Sequence, residues 1–371
     1  MKEFVLDSHK LHYHFERVAE FQKNGDCYPI YMEVSPVGLC NHRCIFCAYD
    51  YIDYPNRHLD KERFLSFLDE VASLGLKSIL YAGEGEPLIH KNIADFVKKT
   101  KEVGIDCGMF SNGELLSERL AEQLLPYLTF LRFSFNGGDA QTYAKVHKPS
   151  RNVGSNIGSG GGGAYQLMSK VLHNIEYAVN FKNKNQLNVD LGSQFVLLPE
   201  NKDTLLSAIS HLKNAGVDFI SVKPFVFQNE QQKYSERQGF IFFDEIKDLA
   251  KEAKSYEDDN FKVIFRENAF LNKQNGRSYS HCYGCNFITT LNSAGDLATC
   301  LPYWNKEEFV YGNIYQNSFY EIWNGEKRKK IKSFLERDLN CQKCPTNCRP
   351  NAINEFLNDI FSKEIKHVNF I

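Results

Sequence analysis

Cys40, Cys44 and Cys47 stand in one eight-residue run, Cys40-Asn41-His42-Arg43-Cys44-Ile45-Phe46-Cys47. Three thiolates at this spacing can hold three irons of a cubic [4Fe–4S] cluster, whereas a closed cluster takes four. A site that stops at three leaves one iron open to an outside ligand, as a catalytic zinc site leaves one position open. A structural zinc knuckle would need a fourth Cys or His at suitable spacing; His42 lies inside the run, where it suits no usual zinc pattern. A disulfide framework is disfavoured by the length of the chain and by its odd total of 11 cysteines.

Six further cysteines crowd the tail: Cys282, Cys285, Cys300, Cys341, Cys344 and Cys348, with twelve residues between Cys282 and Gly295 and four between Gly295 and Cys300. Between the two cysteine groups lie polar runs that suit a ligand pocket. Gly83-Glu84-Gly85-Glu86-Pro87 pairs glycines, which let a ligand approach the backbone, with carboxylates that can accept from an ammonium group. Ser111-Asn112-Gly113 and Ser134-Phe135-Asn136-Gly137 offer hydroxyl and amide groups, although such residues also cap ordinary strand-to-loop turns.

The run C-x3-C-x-aromatic-C resembles the signature of the radical S-adenosylmethionine (SAM) superfamily. The resemblance implies that the amino and carboxylate groups of SAM chelate the open iron. An electron from the cluster then cleaves SAM to a 5′-deoxyadenosyl radical, which abstracts a hydrogen atom. Phe46 matches the aromatic that packs near the adenine. Gly83, Glu84, Gly85 and Glu86 resemble the family's GGE motif, with Glu84 at a usual glycine position, so which of Glu84 and Glu86 serves SAM stays open. Ser111, Asn112 and Ser134 match ribose- or carboxylate-binding positions, and Asn136 departs from the usual Asp. The tail resembles the SPASM and twitch extensions that bind auxiliary Fe–S clusters, Gly312-Asn313-Ile314-Tyr315 and Glu321-Ile322-Trp323-Asn324 included. A single auxiliary [4Fe–4S] cluster on Cys282, Cys300, Cys341 and Cys344 is expected, resembling the one-cluster twitch arrangement, with Cys285 and Cys348 left over. Zinc on Cys300, Cys341, Cys344 and Cys348 is the lesser reading.

The elements that must position these residues follow from periodicity. Apolar runs at Tyr28–Val37, Ser78–Ala82, Asp106–Phe110, Leu128–Phe135, Val189–Leu198 and Phe219–Phe225 alternate with helical patterns at 61–74, 90–103, 115–126, 165–182 and 202–215. Repeated β-then-α units imply right-handed crossovers and a parallel sheet. Six units are too few to close an eight-stranded barrel, so an open (βα)6 partial barrel is expected, an architecture that the family resemblance also implies. Chemistry then falls at the C-terminal ends of the strands. The expected organisation is an extension over 1–27, the barrel over 28–226, a bridge over 227–280 and the cluster-binding unit over 281–371. The glycine-rich stretch 150–163 reads as a lid over substrate or as a surface insertion.

Composition bounds the partners. A net charge of −2 with 43% hydrophobic residues gives no electrostatic case for nucleic acid. No run approaches 18 apolar residues, and the first residues lack an apolar signal core, so no membrane association is expected. Clustered thiols point to a reducing compartment, and hence to the cytoplasm.

Every reading begins with hydrogen abstraction. The first is oxidation of a secondary alcohol on a sugar or cyclitol, with Lys223, Arg266 or Arg57 assisting proton loss, Gln194 as a further barrel-facing residue, and a flavodoxin- or ferredoxin-type electron donor. The second is modification of a peptide side chain; the roughly 27 residues before the first strand are short for a peptide-recognition domain. The third is a redox-neutral epimerisation, with Cys107 or Cys285 returning a hydrogen atom.

Overall fold

The structure, a computed structural model, describes residues 6, 8–150, 161–227, 234–362, 366–367 and 369–370. Most of the glycine-rich stretch, 151–160, lies outside them.

One ten-stranded sheet organises the chain. Its strands are β1 (Tyr31–Val34), β2 (Ser78–Tyr81), β3 (Asp106–Ser111), β4 (Phe130–Ser134), β5 (Asp190–Leu197), β6 (Phe219–Pro224), β7 (Lys262–Phe265), β8 (Ile288–Leu291), β9 (Asp296–Ala298) and β10 (Val310–Asn313). The order is β10-β9-β8-β1-β2-β3-β4-β5-β6-β7, parallel from β8 through β1 to β7 and antiparallel at β8–β9–β10. β1 and β7 do not pair, so the barrel is open. The α-helices that precede β6 are α1 (Phe15–Asn24), α2 (Lys61–Ser73), α3 (Ile93–Glu102), α4 (Glu118–Leu124), α5 (Ala140–His147), α6 (Gly161–Lys184) and α7 (Leu205–Asn214).

Three features differ from the sequence expectation. The sheet has a seventh barrel strand, β7, inside the stretch read as a bridge. The first strand of the cysteine-rich tail, β8, pairs with β1, Tyr31 opposite Ile288, and so extends the barrel sheet itself. The stretch after β4, for which the sequence shows no helical pattern before residue 165, begins with α5, whose Asp139 side chain caps the Thr142 amide.

Side chains alternate along each strand. Met32, Val34, Cys107, Met109, Leu131, Phe133, Ile220 and Val222 pack with helix residues such as Phe64, Phe96, Val171 and Ile209 in the main core. The opposite parity lines the inner face. There the Phe130 and Phe219 rings cover Gly108 and Gly192, whose absent Cβ atoms would come within 2.3 Å of those rings. Above this aromatic floor the inner face turns polar.

Candidate active site

The cysteine loop follows β1 and is stitched to the segment that ends α5. Arg43 N–H donates to the carbonyls of His147 (3.2 Å) and Lys148 (2.8 Å), Ile45 N–H to Val146, and Ser150 N–H to the Asn41 carbonyl (2.7 Å). Arg43 Nη1 donates to the Cys40 carbonyl at 2.6 Å. Gly85 has no room for a side chain: a Cβ there would lie 2.2 Å from the Val37 carbonyl and 2.4 Å from that of Leu39. The Gly-Glu run therefore presses directly on the loop that carries the three thiols.

Two histidines buttress that loop. His42 Nε2 lies 2.9 Å from Glu114 Oε2. Glu114 also accepts from Asn41 Nδ2 (2.8 Å) and faces Lys170 at 3.6 Å. Burial pushes the Glu114 carboxyl up, but the His42 and Lys170 partners outweigh it and hold the group below its usual range. His147 is buried. Its Nε2 receives the Asn136 amide N–H at 3.1 Å, and its Nδ1 lies 3.6 Å from Cys44 Sγ. A ring nitrogen that accepts a backbone N–H carries no proton of its own. The proton of the neutral ring therefore sits on Nδ1, aimed at the cysteine sulfur.

Burial is the first cause that raises the Cys40 and Cys44 thiols well above their ordinary value. Neighbouring carboxylate and thiolate charges, those of Glu86 and Cys47, act in the same direction. Bare thiolates are thus costly here, and a group of cationic irons offsets them; the donor set fits an Fe–S cluster. The metal-binding atoms of His42, Cys44 and His147 also lie within 4.8 Å of one another. Both imidazoles are, however, already engaged by Glu114 and by the Asn136 amide, so they serve as supports.

The structure separates the two carboxylates of the Gly-Glu run. Glu86 stays at the cysteine site, accepting from Ser111 Oγ (2.7 Å), Asn112 N–H (2.8 Å) and Leu88 N–H (3.2 Å). Glu84 turns toward the tail. It accepts from Ser293 N–H (3.0 Å), the Ser293 hydroxyl, Trp304 Nε1 (2.9 Å) and Asn305 Nδ2 (3.4 Å), with Arg57 at 3.6 Å. Glu84 and Arg57 therefore fasten the tail to the barrel and do not face the inner cavity. Asn136 is likewise consumed by scaffold, receiving the Val196 amide on Oδ1 at 2.6 Å and Asn201 Nδ2 on its carbonyl at 3.1 Å. Asn112 links Asn41 to Glu114. Phe46 packs against the small cluster of Val146, Val196, Leu198, Phe225 and Tyr234. Ser134 and Gln194 sit on the inner face, in register across β4 and β5.

Of the residues considered for catalysis, Lys223 stands on the inner face, half-buried at the end of β6, and Arg266 follows β7. Burial pushes the Lys223 ammonium down to about 7, and the charges of Arg266, Arg349 and Arg132 push it the same way against Glu33. Cys107 points away from the cavity into the helix layer and is fully buried in the core. Sequence reading missed Glu33, Arg132, Arg349, His147 and the His42–Glu114 pair. Glu33 and Arg132 carried a signal: each is a charged residue at inner-face parity within a strand. Arg349 carried none, because it arrives from the tail.

In the tail, burial is the first cause that raises Cys300, Cys341 and Cys348; Cys282 adds to it in all three, and Arg277 opposes it at Cys341 and Cys348. Cys348, left over in the sequence reading, thus shares the pocket with Cys282, Cys300, Cys341 and Cys344. Arg277 braces it, donating to the Cys341 and Cys344 carbonyls at 2.8 Å, to the Pro345 carbonyl and to Cys348 Sγ at 3.7 Å. Asn354 Nδ2 donates to Cys282 Sγ at 3.3 Å, and Tyr303 Oη lies 3.4 Å from Cys344 Sγ. Cys285 turns back on the Cys282 carbonyl at 3.1 Å. Five convergent thiols are one more than a single closed [4Fe–4S] cluster takes and too few for two.

Comparison with known proteins agrees with this geometry. The radical SAM superfamily profile matches residues 34–209, and an iron-sulfur cluster-binding SPASM profile matches residues 282–349. The chain belongs to the radical SAM superfamily, with a C-terminal SPASM domain, and carries a SAM-binding and an auxiliary [4Fe–4S] site. It is 26% identical over 302 residues to a GTP 3′,8-cyclase of Limosilactobacillus fermentum, covering 77% of this chain and 82% of that one. It is 25% identical over 220 residues to an S-adenosylmethionine-dependent nucleotide dehydratase of Lacinutrix mariniflava, covering 57% of this chain and 43% of that one. The fold is similar to that of Streptococcus suis SuiB bound to S-adenosylmethionine, with TM-score 0.63, 15% identity, and 90% and 75% of the two chains covered. Among the described residues no helix is long and apolar enough to cross a membrane.

Proposed function

We propose that the protein removes a hydrogen atom from a small molecule held on the inner face of the barrel, and that the product leaves oxidised by two electrons. A secondary alcohol of a sugar, a cyclitol or the sugar of a nucleotide is the substrate class. When bound, SAM on the open cluster supplies a carbon-centred oxidant, and the auxiliary cluster supplies an acceptor for the second electron. The observation that carries the reading is the position of Arg349. It follows Cys348 directly, yet it pairs with Glu33 of β1 at 2.9 Å and lies over the Tyr31 ring at 5.6 Å. The wall of the auxiliary pocket is therefore also a wall of the substrate cavity.

The chain's own residues divide the work. Cys40, Cys44 and Cys47 hold the open cluster. Cys282, Cys300, Cys341 and Cys344 hold the auxiliary one. Glu86 and the hydroxyls of Ser111 and Ser134 border the SAM side. Lys223, with proton affinity pulled toward neutrality, takes the hydroxyl proton, since a base works best with a pKa near the working pH. The alcohol loses one hydrogen atom, one proton and one electron, which balances a ketone. A flavodoxin- or ferredoxin-type protein is the proposed reductant. Two curated relatives named for reactions on nucleotides support the small-molecule reading. Redox-neutral epimerisation has less support, because Cys107 and Cys285 both lie off the cavity.

The test uses anaerobically reconstituted enzyme with candidate alcohols deuterated at the carbinol carbon. Deuterium in 5′-deoxyadenosine together with a ketone product is expected. A product at the substrate's oxidation level, carrying solvent hydrogen, would sink the oxidative reading, and absence of any SAM cleavage would sink the enzyme itself.

A further inference from the structure

The two cysteine sites meet through a short run of aromatic side chains. Tyr303 ends the 3-10 turn Leu301–Tyr303 that follows Cys300, and its hydroxyl lies 3.4 Å from Cys344 Sγ. Phe309 stacks on the Tyr303 ring at 3.9 Å and holds it in place. Trp304, the next residue, is buried, and its indole meets the Tyr49 ring at 5.6 Å between centroids. Tyr49 stands two residues beyond Cys47, and the N–H of the following Asp50 donates to the Cys47 carbonyl at 3.4 Å. Tyr51 adds a second strut, its hydroxyl donating to the Trp304 carbonyl at 2.9 Å.

Glu84 fastens the tail to the barrel through Ser293 and the Trp304 N–H. The second of these bonds also sets the plane of the indole, and so its approach to Tyr49. Rings at this separation and tilt are in direct contact. Electron tunnelling decays less steeply through covalent bonds and close-packed atoms than across water or open space, and a protein interior packed as densely as an organic crystal is such a medium. From Cys344 to Cys47 the route crosses the hydroxyl–sulfur contact, the peptide that joins Tyr303 to Trp304, the ring-to-ring contact and the short chain from Tyr49 back to Cys47.

We infer that Tyr303, Trp304 and Tyr49 form an electron bridge between the auxiliary site and the SAM-binding site. This reading deepens the proposed function, on which it rests for the source of the electron. Cleavage of the SAM carbon–sulfur bond consumes one electron. The substrate radical, on losing its hydroxyl proton, releases one electron as the ketone forms. Carried back across the bridge, the released electron replaces the one spent. SAM and the alcohol then become methionine, 5′-deoxyadenosine, the ketone and one proton, with no net reductant, and the flavodoxin- or ferredoxin-type donor primes the enzyme. The electron tunnels past the rings and does not oxidise them, so at Tyr49 the ring matters and the hydroxyl does not.

The test delivers electrons to reconstituted holoenzyme from a flash-photoreduced deazaflavin and follows the paramagnetic signals of the two clusters by microsecond freeze-quench spectroscopy. In the parent, the two signals should hold a constant ratio at every delay. In Tyr49→Leu that constancy should be lost, one signal filling before the other, while iron content, both midpoint potentials and the final ratio stay parental. Tyr49→Phe, which keeps the ring, should restore the constant ratio. Should Tyr49→Leu fail to take up both clusters, Tyr303→Leu replaces it, with the same drift expected from the other end of the bridge. A drifting ratio in the parent, or a constant ratio in the leucine variant, overturns the bridge. If ketone still forms in that case, the proposed reaction survives. If the signals equilibrate through Tyr49 but no ketone is made, the bridge stands and the reaction falls.

Discussion

The two cysteine sites reach similar chemistry by opposite routes. The first takes three thiols from eight consecutive residues, and its shape is set by backbone bonds to the end of α5. The second gathers thiols from Cys282 to Cys348 and depends on β8, β9, the 3-10 turns and the Asn351–Phe361 helix folding around them. A local motif keeps its spacing under most tertiary disturbances. A dispersed one exists only when the surrounding fold does, and its metal then contributes to that fold. The first site is therefore the sturdier vessel and the second the more entangled with stability.

Substitution of ligands separates the two most sharply. Cys44→Ala should abolish SAM cleavage and lower iron from about eight to about four per chain, with little change in melting temperature. Cys341→Ala should remove a similar amount of iron, spare SAM cleavage, abolish the oxidised product and lower the melting temperature clearly. Equal stability loss in both would erase the distinction.

Next in size is the joint between the regions. Glu84→Ala strands the buried donors of Ser293 and Trp304, and should cost about 3 kcal/mol in denaturant unfolding. A cost indistinguishable from that of an exposed substitution such as Lys329→Ala would show that the joint adds nothing.

A subtler effect belongs to the first site alone. His147→Phe removes the N–H directed at Cys44 Sγ, and hydrogen bonds to cluster sulfurs raise the reduction potential. A more negative midpoint for the SAM-binding cluster is expected at unchanged iron content, with the auxiliary midpoint unmoved. The smallest effect is on pH. Lys223 is charged below about 7 in the free protein, so its capacity as a base grows as pH rises through that value. Arg349 and Arg132, which act on it, stay charged across that range. Lys223→Arg, which keeps its charge at these pH values, should remove the rise in ketone formation between pH 6 and 8.

Much of this was legible in the amino-acid order. The alternation of short apolar runs with helical patterns marks β1 to β6 and the open barrel, because parallel strands buried on both faces read as continuous apolar stretches. The cysteine spacings mark both metal sites. Other parts were not legible, for physical reasons. α5 has eight residues and buries only Tyr143, Val146 and His147, too short a pattern to stand out. β7 is four residues at the edge of the sheet. The roles of Glu84 and Glu86 could not be told apart, since the answer lies with Ser293 and Trp304, more than half the chain away. Arg349 reads as an ordinary charge beside a cysteine until the tail is folded against β1.

The pairing of Tyr31 with Ile288 has a consequence for biogenesis. As the chain leaves the ribosome, β1 acquires β2 early, but its other edge stays bare until nearly three hundred residues have been made. An unpaired edge next to a reactive thiol loop is a hazard for aggregation. Cells that make this protein must therefore shield that edge, or load the first cluster, before translation ends.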